Sequence, residues 1–200
     1  MAILTLRPTG DASIQLSRSA GSYNYTCVDE DPVSDADYVF STEAMAVNKT
    51  DLYSLNTSGS IGPINSVTVY ARAKYGTLTL GPLIFVTVNS AFGDGETLTS
   101  SWTMFSKTWT VNPATGNAWT WNEILTLVAG IKFWCFNEIT TGEGWCSQVY
   151  VEVDYTYAPG MKISVDAQWH SCVPKISVGG IWKTCIAGWV SVSNQWKRML

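Results

Sequence analysis

Gln148-Val149-Tyr150-Val151-Glu152-Val153-Asp154-Tyr155-Thr156-Tyr157 alternates without a break. In an extended chain Val149, Val151, Val153, Tyr155 and Tyr157 face one way, and Gln148, Tyr150, Glu152, Asp154 and Thr156 face the other. Such a strand belongs to an antiparallel sheet with one packed and one solvated face. Ile64–Lys74 repeats the pattern, with Val67, Val69, Ala71 and Ala73 on the core side. Leu83–Val88, Thr103–Val111, Tyr38–Ser41 and Lys132–Phe136 are further short apolar or alternating runs between polar turns. Together they suffice for two packed sheets. The expected fold is all-β: a jelly-roll-like antiparallel β-sandwich over residues 1–157, with one short helix.

The helix is signalled by Thr120-Trp121-Asn122-Glu123, a capping box in which Thr120 and Glu123 satisfy each other's backbone amides. The run Ile124–Ala129 follows, and Gly130 stands where a left-handed C-terminal residue would end about ten helical residues. Asn112-Pro113-Ala114-Thr115-Gly116 reads as the turn before it.

Tyr157-Ala158-Pro159-Gly160 breaks the alternation and marks a boundary. Beyond it, residues 158–200 repeat a unit of apolar-Ser-Val, turn, then Trp-basic. The units are Ile163-Ser164-Val165 with Trp169-His170, Ile176-Ser177-Val178 with Trp182-Lys183, and Val190-Ser191-Val192 with Trp196-Lys197. Asp166-Ala167, Gly179-Gly180 and Ser193-Asn194 lie in the turns. The expectation is a module of three β-hairpins, with Val165, Val178 and Val192 before the turns. So short an array cannot bury its own apolar side and must lean on a protein surface. Trp169, Trp182, Lys183, Trp189, Trp196 and Lys197 are its candidate partner-binding residues.

The 200 residues are 46% hydrophobic and only 14% charged, so a sizeable core is available and a folded chain is expected. Residues 1–157 hold 15 acids against 7 Lys/Arg, a net charge of −8, whereas 158–200 carry +4. An acidic body gives no electrostatic reason to bind nucleic acid. No apolar run of membrane-spanning length occurs. Met1–Pro8 has neither the basic start nor the apolar stretch of a signal peptide, so synthesis in a cytoplasm is expected. The sequons at Asn24, Asn48 and Asn56 are then accidental.

Groups suited to catalysis are few. His170, the single histidine, occupies the position of Lys183 and Lys197 in the repeat. Glu152 with Asp154, and Glu138 with Glu143, are the nearest approach to a paired-carboxylate site, and both pairs read as solvated. Asp29, Glu30, Asp31, Asp35 and Asp37 crowd one loop, but Pro32 interrupts calcium-loop spacing, and a solvated loop is the simpler reading. The five cysteines match no zinc pattern, and Cys172, Cys185 and Met199 at one repeat position read as buried packing; free thiols are the expectation, with Cys135–Cys146 across a hairpin as the pair for any bridge. The expectation is no catalytic residue, no metal ligand and no cofactor. Trp119 and Trp121 either offer rings to a glycan or staple the helix entry.

Ile64–Lys74, Asn112–Gly116 with Ala118–Trp121, and Gln148–Tyr155 together resemble a β-sandwich domain of tailed-bacteriophage proteins. Val178-Gly179-Gly180-Ile181-Trp182-Lys183 and Val192–Lys197 resemble the Gly-Gly-x-Trp-Lys repeats at the ends of phage virion and tail-fibre proteins. The first unit departs from that pattern, with Asp166-Ala167 in the turn and His170 for Lys. The resemblance implies a structural component of the virion: a capsid-surface decoration or cement protein, or else part of the tail or tail fibre. It would contact other virion proteins and copies of itself through 158–200. A carbohydrate-binding module recognising host-surface glycans is the rival expectation.

Overall fold

The computed structural model describes residues 2–41, 48–57, 62–76, 83–89, 91–134 and 143–156, together with the backbone of six strands between 161 and 199. In chain order the first part comprises β1 (Ala2–Leu6), β2 (Pro8–Ser13), β3 (Ser17–Arg18), β4 (Val39–Phe40), β5 (Asn48–Leu55), β6 (Ile64–Tyr75), β7 (Leu83–Val88), β8 (Ala91–Phe92), β9 (Glu96–Thr97) and β10 (Thr103–Trp109). It continues with α1 (Trp121–Leu125), β11 (Val128–Trp134) and β12 (Gly144–Tyr155). One sheet runs β10-β6-β12-β4-β3, with β1 also on β12; the other runs β2-β5-β11-β7-β8, with β9 also on β7. All their pairings are antiparallel.

The two sheets share one core. Val67, Val69, Ala71 and Ala73 of β6 and Val149, Val151 and Val153 of β12 are buried. So are Tyr53 of β5, Ile84, Val86 and Val88 of β7, and Ala129, Ile131 and Phe133 of β11. The alternation that defines Gln148–Tyr157 and Ile64–Lys74 is therefore the division between this core and the outer face. Tyr155 is half-buried, with its ring against Trp121; Tyr157 lies outside the described residues.

Several boundaries differ from expectation. The Thr103 strand stops at Trp109, and the Lys132 strand starts earlier, at Val128. The capping box is present, but the helix is five residues long and ends at a Thr126 cap. Leu127 enters the core, and Val128–Trp134 pairs with β5 and β7 on both edges. Gly130 is thus a strand residue, not a helix stop. A Cβ there would lie 1.9 Å from the Asp51 carbonyl oxygen, so glycine is what lets β11 approach β5. Cys146 is a buried free thiol, not half of a bridge. Its Sγ donates to the Gln148 carbonyl at 3.4 Å, and burial pushes its pKa up to about 12. Cys135 lies outside the described residues.

The repeat forms three hairpins of like register. They are β13 (Met161–Val165) with β14 (Gln168–Cys172), β15 (Lys175–Val178) with β16 (Ile181–Thr184), and β17 (Gly188–Val192) with β18 (Gln195–Met199). Val165, Val178 and Val192 pair with Gln168, Ile181 and Gln195, two residues intervening in each case. Ser164, Ser177 and Ser191 stand opposite Trp169, Trp182 and Trp196.

Candidate binding face

The outer face of the first sheet is built by three neighbouring strands whose register stacks chemistry into rows. Tyr70 of β6 stands opposite Tyr150 of β12 and, on its other side, opposite Ser106 of β10. One row along lie Thr68, Glu152 and Thr108; one row the other way lie Arg72, Gln148 and Met104. Lys74 and Trp145 form the end row.

Tyr70 and Tyr150 stack with centroids 4.7 Å apart and planes 9° from parallel. Stacking across the strand pair braces each ring against the other. Tyr150 has Arg7 over its ring at 5.4 Å, and since one face is taken by Tyr70, both of its faces are engaged. On the other side of Tyr70 the register sets β10, where Ser106 is short and exposed, between exposed Met104 and Thr108. Thr68 and Thr108 share a hydroxyl hydrogen bond at 2.9 Å. Burial, and then the nearby Glu152 carboxylate, raise the Tyr70 pKa, so the phenol stays protonated.

The end row is closed by contrast. Trp145 stacks on Tyr38 at 4.5 Å and 13°, and Lys74 Nζ lies 4.6 Å from its centroid. The same ammonium is 4.9 Å from the Trp102 ring. A cation held between two indoles fixes both rings and leaves Trp145 no free face.

The acidic loop is strapped over the middle of this sheet face. Arg72 grips Asp35 through two bonds, Nε to Oδ1 at 2.9 Å and Nη2 to Oδ2 at 2.8 Å. The register shift between Cys146 and Gln148 leaves Ser147 as an extra residue, and its Oγ donates to Asp35 Oδ1 at 2.7 Å. The Arg72 and Ser147 hydrogen bonds hold the Asp35 carboxyl below its ordinary pKa. Arg7 bridges Asp31 at 3.0 Å, and both Arg7 and Gln148 donate to the Glu30 carbonyl. Gln148, on the outward side of its strand, is buried beneath this loop. Burial, with the charges of Asp37 and Asp29 adding to it, raises Glu30 to about 7. Among the described residues, no group of three or more His, Cys, Asp or Glu stands in a metal-holding arrangement.

The residues singled out by sequence fall elsewhere. Trp119 is 4% exposed, and its indole N–H donates to the Trp109 carbonyl at 3.1 Å, so its ring is a core element with no face for a sugar. Trp121 donates to the Gly62 carbonyl at 2.8 Å and packs edge-on against Tyr155. Both anchor the entry to α1. Trp169, Trp182, Lys183, Trp189, Trp196 and Lys197 lie on the hairpin strands, away from the rows above in sequence, at the paired positions given by the register. Glu152 and Asp154 share the outer face of β12 and Glu143 begins next to that strand, while Glu138 lies outside the described residues. Alternation puts Tyr150 on the outer side of its strand but does not single out Tyr70, Ser106 or Thr108. The signal that unites them is strand pairing over 40 and 80 residues, which alternation alone does not give.

No protein-family model and no curated protein matches the chain. The solved structures aligned to it include TmCBM61 in complex with β-1,4-galactotriose, with a TM-score of 0.37 and 9% identity over 71% of this chain and 89% of that one. They also include the C-terminal CBM6 of LamC from Zobellia galactanivorans, with a TM-score of 0.37 and 12% identity over 76% and 100%. CtCBM11 aligns with a TM-score of 0.34 and 11% identity over 78% and 91%. The sandwich is defined by the sheets described above, and no residue role is carried over from these likenesses.

Proposed function

We propose that the chain is a binding protein that holds carbohydrate on the outer face of its first sheet, without making or breaking a bond. The observation that carries this is Tyr70: one ring face is braced by Tyr150, and on its other side the register sets the short, exposed Ser106 of β10. A pyranose presents an apolar C–H face that packs on such a ring, while its hydroxyls need acceptors and donors around the rim. Thr68, Thr108, Ser106 and Glu152 supply these within a row or two of Tyr70. Because Arg7 and Tyr150 brace the ring before any ligand arrives, little ordering is left for binding to impose. Calorimetric titration of a panel of oligosaccharides tests the reading: at least one binds saturably, and Tyr70→Ala removes it. Saturable binding that survives Tyr70→Ala would place the site elsewhere.

A second reading rests on the hairpins. Three units of one register, Ser opposite Trp in each, favour a repeated attachment to a protein neighbour through Trp169, Trp182, Lys183, Trp189, Trp196 and Lys197. In a phage particle this reading makes the chain a virion component. Locating the chain in purified particles tests it, with ordered copies contacting one another or neighbouring virion proteins through 158–200 as the expected result.

A further inference from the structure

The charges around Tyr70 discriminate among sugars. The cations of this sheet face are committed: Arg72 to Asp35 in a two-bond grip, Arg7 to Asp31 and the Tyr150 ring, Lys74 to the Trp102 and Trp145 rings. Lys107 of β10 is on the inward set of positions and pairs with Asp94 at 2.7 Å. The acids are less engaged. Glu152 stands one row from the Tyr70–Tyr150 pair, its charge close enough to act on the Tyr70 phenol, and Asp154, a row further, accepts from Asn65 Nδ2 at 3.1 Å. A ligand stacked on Tyr70 over Ser106 therefore meets the Ser106, Thr68 and Thr108 hydroxyls, with the Glu152 carboxylate one row along on the far strand β12. These oxygens accept sugar O–H groups, and the carboxylate repels an anion.

From this charge arrangement we infer that the Tyr70 platform takes a neutral glycan, seated along the edge strand β10, and rejects uronate-bearing or sulfated ones. This rests on the carbohydrate reading above. Selection arises by repulsion from Glu152 and Asp154 as much as by attraction to Tyr70.

The test pairs ligands that differ only in charge: galacto-oligosaccharides against oligogalacturonates, and xylo-oligosaccharides against sulfated xylo-oligosaccharides, each titrated into the full chain. One or more neutral ligands bind, with affinity at least about tenfold above the charged counterpart and insensitive to salt. Tyr70→Ala weakens the neutral ligand by roughly 30-fold, the loss expected of a central aromatic anchor. Ser106→Leu, at an exposed position that leaves Tyr70 and its neighbours in place, fills the space beside the ring and weakens it comparably. Glu152→Gln narrows the gap between neutral and charged ligands. Thermal melting of each variant reports whether the fold is retained. Charged glycans binding as tightly as neutral ones, with the loss on Tyr70→Ala retained, overturn the charge assignment and leave the carbohydrate reading standing. No binding by any ligand, or binding indifferent to both Tyr70→Ala and Ser106→Leu, overturns both.

Discussion

Asp51 is a carboxylate in the core, fully buried on a strand between Thr50 and Leu52. It persists there because its oxygens are occupied: Oδ1 accepts from the Gln15 and Leu16 amides at 2.7 and 2.8 Å, and Oδ2 from Asn24 Nδ2 and the Tyr53 hydroxyl at 2.8 and 3.1 Å. Removing the acceptor leaves several buried donors empty. Asp51→Ala is expected to cost on the order of 3–5 kcal/mol, a large part of the total for an ordinary domain; urea unfolding measures it. Glu30 is the reverse case. Its Oε2 is buried with no hydrogen-bond partner among the described residues, and its pKa is raised to about 7 from the ordinary 4.5. Between those values the folded chain keeps a proton that the unfolded chain has lost. Glu30 therefore lowers stability progressively as pH rises from 4.5 through about 7, and the loss is complete above. Glu30→Gln removes this dependence, so the variant is expected to melt above the parent at pH 8 and to lose that advantage towards pH 5. Asp35, shifted down by Arg72, contributes stability that disappears only as pH falls below its ordinary 3.8, outside that window.

At the scale of the element, α1 shows how much a few bonds carry when a helix is five residues long. Glu123 accepts from the Thr120 amide at 2.7 Å and from Asn112 Nδ2 at 2.7 Å, tying the cap to the preceding turn. Thr120→Ala is expected to cost about 1 kcal/mol, and Glu123→Ala more, since it also frees Asn112; both are readable as shifts in the denaturation midpoint. The capping box was legible because it is local. The helix's end was not, because Leu127–Trp134 is apolar enough for either helix or strand, and contact with β5 and β7 decides. β6 and β12 were legible from alternation, as were the three hairpins from their shared turns. β5 was hidden by Asp51, a charge at an inward position. The first strand, Ala2–Leu6, shows too little pattern to stand out until β12 is seen beside it. The candidate site shared this fate: each strand's outer residues were readable, their pairing was not.

For the molecule as a whole, the first sheet joins residues from both ends of the described sandwich. Leu4 pairs with Val153 and Leu6 with Val151, so over this stretch β1 covers the edge of β12 that faces away from β6. Deleting residues 2–6 is expected to lower the melting temperature sharply and promote aggregation through the bared edge, with light scattering during a thermal ramp as the check. The hairpins make the opposite prediction. On the attachment reading, Trp182→Ala leaves the melting of the sandwich unchanged and reduces incorporation into particles; normal incorporation would remove the basis for that reading. The buried thiols supply one more consequence. Cys27 and Cys146 sit in the core with pKa values raised by burial, and only a thiolate is alkylated at an appreciable rate. Near neutral pH, modification of Cys146 therefore has to wait for the two sheets to part. Mass spectrometry of its peptide after timed exposure to iodoacetamide turns this side chain into a clock for the rate at which the sandwich breathes open.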